Sequence, residues 1–321
     1  MDQAQITDLF KPLFADLDGE DSYPKKRPLL AHYTSVSVLE AILRNNEVWF
    51  SNPLFMNDME EVRFGINVGA NLFVSSSEIE TSCGTKRRFE MLKAAFDHYY
   101  KTFANEHVLD HYVFCLSEHA KEDNDGLLSM WRGYGGNGSG AAIVFDTAKL
   151  AAREQSPLII ANVHYGTPER RVEWLRERFT QFAGIVANSN IEDDQLWLAA
   201  FFFFERLKLF ALFTKHRGFL EENEWRVVYM RDRDEGKVFD RMFSYWVGPR
   251  GVEQKLKLKI EAIPGLPETN LTLPEIVDRI ILGPSLSSPL ARGAILKMLD
   301  TLGLSALKAR VIASTIPFRA S

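Results

Sequence analysis

The chain has 321 residues, of which 46% are hydrophobic and 25% charged, with a formal net charge of -5. That is the profile of a globular protein with a sizeable core. The acidic balance excludes a protein that coats nucleic acid or an anionic membrane through a broad positive field. Cys83 and Cys115 are its only cysteines and form no CxxC pair, which excludes a disulfide framework and points to a reducing compartment.

The opening residues, MDQAQITDLF, lack the basic head and apolar run of a secretory signal. Residues 1–27 read as a helical lead-in, with a helix over Ile6 to Leu17 and a charged, Pro-containing stretch. LLAHYT, from Leu29, reads as a strand, and Ser35 or Ser37 N-caps the helix VLEAILRNN. EVWFSN is a second strand, and Pro53 opens a polar loop through Asn57, Asp58, Met59, Glu60 and Glu61. Residues 61–108 have helical periodicity. HYVFCLS is a strand, SMWRGY a helical turn, GGNGSG a flexible turn, and AAIVFD and LIIANVHYG further strands. Two long helices fill 167–215. The apolar stretch LWLAAFFFF on the second is nine residues long, against the roughly 20 a membrane span needs, so a cytoplasmic protein without membrane contact is expected. EWRVVYM alternates as a strand does. The tail reads as the strand VDRIILGP, a Pro-initiated helix and the strand KARVIAS.

Strands scattered among helices, without regular alternation, predict an α+β fold of mostly antiparallel, split sheets surrounded by helices. A single domain over 28–321 is expected, with 167–215 as a helical insertion.

The phosphate loop GxxxxGK[ST], the nucleophile elbow GxSxG and HExxH are absent, and no two histidines have the spacing of a helical metal pair. No metal is expected. GYGGNGSG follows a short aromatic helix and reads as a turn. The candidate chemistry lies on strands. His32 and Thr34 share one strand face and Tyr33 takes the other; a hydrogen-bonded core histidine and a packing tyrosine are the plain alternative. Ser117 ends its strand. Trp131 and Tyr134 are either core residues or ligand-stacking ones. On EWRVVYM, Glu224 and Arg226 point one way and Trp225 the other. The pair is either a strand salt bridge or, beside aromatics and a histidine, a carboxylate that stabilises a cation or acts as a base.

In order, HYTS, VWFSNP, FMNDMEE, FCLSE, SMWRGY, ENEWR and IILGP resemble the prokaryotic domain of unknown function 2971 family (DUF2971), from about Leu29 to Arg319; Met59 departs from the family's usual proline. A looser resemblance is to ADP-ribosyltransferases, which hold NAD between split antiparallel sheets. It implies an ADP-ribosyltransferase-like core with NAD as substrate. His32 would hold a ribose, Ser117 the second motif position, and Glu222 and Glu224 the Glu-x-Glu pair, with Glu224 as the catalytic carboxylate. Tyr33, Thr34, Trp131, Tyr134 and Arg226 would complete the NAD site. The expected function is transfer of ADP-ribose to an unknown protein or nucleic-acid acceptor, or NAD hydrolysis, in a toxin, effector or phage-defence role. Two other readings stay open. One is a metal-independent nuclease using His32, Glu224 and Arg226 on phosphate; the other is a non-catalytic nucleotide sensor built on Trp131, Tyr134 and Arg226.

Overall fold

The computed structural model describes residues 1–56, 59–107, 109–150, 156–248, 251–261 and 271–318. In chain order the helices are α1 (Gln3–Phe10), α2 (Val36–Asn45), α3 (Met59–Ser75), α4 (Ser77–Ser82), α5 (Lys86–Thr102), α6 (Leu128–Gly133), α7 (Pro168–Asn188), α8 (Leu196–Phe213), α9 (Leu273–Ile276) and α10 (Pro289–Thr301). The strands are β1 (Leu29–Thr34), β2 (Glu47–Ser51), β3 (His111–His119), β4 (Ala141–Asp146), β5 (Leu158–Asn162) and β6 (His164–Gly166). They continue with β7 (Thr214–His216), β8 (Glu224–Met230), β9 (Phe243–Gly248), β10 (Gly251–Lys259), β11 (Val277–Leu282) and β12 (Val311–Ala313). The fold is α+β with a mostly antiparallel sheet, as the pattern of elements predicts.

The chain forms two compact units. One draws on Met1–Ser22, Asn52–His111 and Val163–Phe219; the other on Tyr23–Ser51, Tyr112–Asn162 and Leu220–Ser321. The helices of 167–215 thus share a unit with the first 22 residues and with α3 to α5.

In this helical unit, α8 carries the run LWLAAFFFFERLKLFALF, and every residue from Phe203 to Phe213 is buried, Glu205 and Lys208 as an ion pair. No described helix is long and apolar enough to cross a membrane. Its phenylalanines interlock with those of neighbouring helices: Phe73 stacks on Phe96 with centroids 3.9 Å apart and lies 5.3 Å from Phe203. Two glycines let α3 approach α8. A Cβ on Gly65 would sit 2.7 Å from the Cα of Ala211, and one on Gly69 would sit 2.2 Å from Leu207 Cδ1.

In the other unit, ten strands form one sheet in the order β12-β11-β4-β1-β3-β2-β10-β9, with β8 pairing both β3 and β5. The β11–β12 pair is parallel, whereas β1 with β3 and β4, β2 with β3 and β10, β9 with β10, β4 with β11, and β5 with β8 pair antiparallel. The sheet divides at β3. Its end at residues 117–119 pairs with β1, while Val113 pairs with Ser51 of β2. The larger apolar cluster takes one face, with Leu30, Phe114, Leu116, Ile143, Trp225 and Tyr229. The other face holds Ala31, Tyr33, Trp131, Ala142, Val144 and Ile281. Ser35 caps α2 by accepting the Val38 N–H, and Asn46 ends it in the left-handed conformation.

The strands differ from the sequence reading in three places. LIIANVHYG divides into β5 and β6; KARVIAS begins as the end of a 3-10 helix (Ser305–Arg310), leaving β12 as three residues. The hairpin β9–β10 lies where the sequence reading places no strand, although GVEQKLKLK alternates at 256 and 258. The Pro53 loop shortens to a 3-10 turn over Pro53–Phe55, with α3 starting at Met59, while Asn57 and Asp58 lie outside the described residues.

Two glycine substitutions should move stability in opposite directions in urea unfolding. Gly65→Ala meets backbone on α8 and should cost about 1–3 kcal/mol. Gly184→Ala, on α7 with nothing within 4 Å of the new Cβ, should gain about 0.5–1 kcal/mol.

Candidate functional site

The polar residues of β8 are placed by their strand neighbour β3. Asn223 turns the chain into β8 with φ of 42°, and its carbonyl accepts the Glu118 N–H at 2.8 Å. One residue earlier, the Ser117 hydroxyl donates to the Glu222 carbonyl at 2.7 Å. The Trp225 indole N–H donates to the Glu118 carboxylate at 2.8 Å, and Lys26 donates to the same carboxylate at 2.9 Å. The Lys26 ammonium also lies 5.7 Å from the centre of the Trp225 ring. Glu118 therefore joins three segments at the start of β8. Residue alternation places Glu118 on the face of Phe114 and Leu116, a carboxylate on an apolar face, and that was the sequence signal for it.

Trp225 is fully buried, so Glu224 and Arg226 point to the opposite face, as alternation predicts. They make a two-pronged pair, Arg226 Nε to Glu224 Oε1 at 2.8 Å and Nη2 to Oε2 at 3.1 Å. Glu224 is 5% exposed and Arg226 1%, so this is a buried pair and not the exposed strand salt bridge. Glu222 is half-buried and its Oε1 accepts the hydroxyl of Tyr134 at 2.7 Å. Tyr134 follows α6 directly and is 42% exposed. The glycine-rich turn after it brings the chain against β1: a Cβ on Gly140 would lie 2.2 Å from the Thr34 carbonyl oxygen. Ser117, Glu222, Glu224, Arg226 and Tyr134 thus belong to one neighbourhood.

His32 does not join them. Its cross-strand partner is Ile143, in the larger apolar cluster, and its ring packs on Phe114 at 4.6 Å. Ser117 is opposite Ala31, whose side chain lies on the other face. The expected convergence of His32 with Ser117 and Glu224 is therefore corrected: odd and even residues of β1 leave opposite sides of the sheet, and the register puts His32 on the side of Trp225. That separation also divides the His32, Glu224 and Arg226 trio of the nuclease reading. His32 Nδ1 donates to the Cys115 carbonyl at 3.1 Å, the only polarity a carbonyl accepts. Burial pushes its pKa below 6.5, against a smaller opposing effect of that hydrogen bond.

Tyr33 and Trp131 are packing residues. They meet edge to face at 4.8 Å, the Trp131 indole donates to the Asp125 carbonyl, and the Tyr33 hydroxyl accepts the Leu127 N–H. Burial pushes the Tyr33 hydroxyl up to about 12. Neither ring offers a face for stacking. Thr34 is buried on the side of His32. Among the described residues, no three His, Cys, Asp or Glu side chains are grouped to hold a metal ion.

Residues 130–227 match the family model DUF2971, a protein of unknown function. The match bears out the family resemblance carried by the motifs, and it spans α6, the glycine-rich turn and the start of β8. No curated protein and no solved structure gives a significant match.

Arg226→Leu should destabilise by roughly 3–5 kcal/mol in urea unfolding, because it takes the guanidinium from a buried carboxylate; adding Glu224→Leu should restore much of that loss. The depressed pKa of His32 gives a second expectation. The folded state resists a proton that the unfolded chain accepts, so the stabilisation is complete above 6.5 and declines as pH falls below it. His119 and His164 are shifted the same way, chiefly by burial. His32→Gln should therefore flatten part of the acid-side slope, read by denaturant titrations on either side of pH 6.5.

Proposed function

We propose that the chain binds NAD beside the β3–β8 junction and cleaves its nicotinamide–ribose bond on an ADP-ribosyltransferase-like core. ADP-ribose then passes to a protein or nucleic-acid acceptor, or to water. The observation that carries this reading is the Glu222–Glu224 pair fixed to Ser117 on the neighbouring strand, with the Tyr134 hydroxyl on Glu222. As the glycosidic bond breaks, positive charge collects on the ribose, and a carboxylate fixed beside it lowers the barrier. Fixing the ribose hydroxyls adds to this by removing freedom before the reaction.

The two glutamates take different parts. Glu222 is the carboxylate a ligand can reach, half-buried and tied to an exposed tyrosine. Glu224 is buried and neutralised by Arg226, so it acts as a positioning residue and the catalytic assignment moves two residues upstream. His32, on the other face, has no part in this site. Consumption of NAD or modification of a host target fits a toxin, effector or phage-defence protein acting in the cytoplasm. The neutralised Glu224–Arg226 pair favours a second reading, a nucleotide sensor without turnover.

Mass spectrometry of nicotinamide released from NAD by the purified chain, with and without cell lysate as acceptor, tests both. Glu222→Gln should reduce release by roughly 100-fold or more with an unchanged unfolding midpoint. Glu224→Gln should lower release and stability together. NAD binding without release from folded protein would replace the enzyme by the sensor; neither binding nor release would overturn both.

A further inference from the structure

Strand β12 is followed by residues 314–318, which have no regular structure and are held by side chains at both ends. Ser314 continues the pairing of β12 with β11 by donating its N–H to the Leu282 carbonyl at 2.9 Å. The Asp125 carboxylate then accepts three donors: the Ser314 hydroxyl at 3.4 Å, the Thr315 hydroxyl at 2.9 Å and the Thr315 N–H. Ile316 packs on the smaller apolar cluster, which includes Tyr33 and Trp131. At the far end the Phe318 ring lies on the glycine-rich turn. A Cβ on Gly138 would sit 2.9 Å from Phe318 Cδ1, and the Arg132 guanidinium is 5.1 Å from the centre of that ring.

Both ends bear on α6 and the turn after it. Asp125 takes the segment with its carboxylate and the Trp131 indole with its carbonyl, the latter at 2.8 Å. The Asp123 carboxylate fixes the backbone there by accepting the N–H groups of Asp125 and Gly126. Gly138 has φ of 84°, and a Cβ on Gly283 would lie 2.4 Å from its carbonyl oxygen, so the turn is packed against residue 283 as closely as backbone allows. In the chain, Tyr134 falls between these supports, after Trp131 and Arg132 and before Gly138. It is 42% exposed and its hydroxyl is on Glu222. Helix α6, which ends at Gly133, has six residues, a length at which a helix depends on tertiary contacts to persist.

We propose that residues 314–318 are a latch that keeps α6 and the glycine-rich turn where Tyr134 meets Glu222. Asp125 and Phe318 are thereby positioning residues of the candidate site, acting through Tyr134. Release of the latch is a way to switch the site off without touching Glu222 itself.

Hydrogen exchange tests the latch in the absence of any ligand. The amides of Trp131, Tyr134, Gly135, Gly138 and Gly140 all donate within residues 127–140. In Phe318→Ala and in Asp125→Ala they should exchange roughly tenfold faster or more, while β1 and β4 keep wild-type protection. Asp125→Asn, which keeps an acceptor oxygen, should stay near the wild type. Unchanged exchange in the folded variants overturns the proposal, as does an equal loss of protection through β1 and β4. Should Asp125→Ala not fold, Phe318→Ala decides. The consequence for the site rests on the NAD-cleaving reading. Phe318→Ala should lower nicotinamide release roughly tenfold, and no further in a Tyr134→Phe background, because both changes act through one hydroxyl. Losses that multiply would detach the latch from Tyr134 and overturn the positioning role. A wild-type chain that releases no nicotinamide overturns the NAD-cleaving reading alone, and exchange still decides the latch.

Discussion

The hydrogen bond from the Trp225 indole to the Glu118 carboxylate fixes how β8 lies on β3, and the candidate site depends on it. A tryptophan buried in an apolar core needs an acceptor for its N–H; a carboxylate on an apolar face needs donors. Each supplies what the other lacks, and Lys26 adds the countercharge. Once Trp225 is committed to the core, alternation along the strand sends Glu224 and Arg226 to the opposite face. The Ser117 hydroxyl and the Glu118 N–H then hold residues 222 and 223 by their backbone carbonyls. The position of the Glu-x-Glu segment is thus set by backbone hydrogen bonds and one buried indole, independently of its own charges.

Burying Glu224 with Arg226 is costly, since both ions leave water, and the two-pronged geometry recovers that cost only while both partners are present. An apolar pair of similar volume would serve stability about as well. What the ion pair adds is direction: a planar guanidinium holds its carboxylate in one orientation. Glu222, two residues earlier and closer to solvent, accepts the Tyr134 hydroxyl. Two carboxylates of nearly the same sequence context therefore differ in accessibility and in what they can do.

The helical unit follows a separate logic. Its core is built on stacked and tilted phenylalanine rings from α3, α5, α7 and α8, with centroids between 3.9 and 6.3 Å in the contacts of Phe73. Rings of that size fill space only if some backbones come close, and Gly65 and Gly69, one turn apart on α3, provide the approach to α8. The cluster of aromatics and the two glycines are one packing solution read from two sides.

The sequence by itself determined the class of fold, most elements, the family resemblance and the shared strand face of Glu224 and Arg226, because each rests on local spacing: period two on β8, the cap at Ser35, and the nine-residue apolar run that opens α8. It also marked Ser117, Glu222 and Tyr134. Only the tertiary structure decided which of these meet. Whether His32 joined Glu224 turned on the parity of β1 against β4 and β3, and parity is a property of strand register, which no single strand carries. The same holds for Tyr33 and Trp131, whose aromatic chemistry suits a ligand or a core equally until burial is known. Alternation puts Glu118 on an apolar face but not its partners, Lys26 and Trp225, which are 92 and 107 residues away in the chain; a carboxylate becomes an anchor only where folding brings its donors to it.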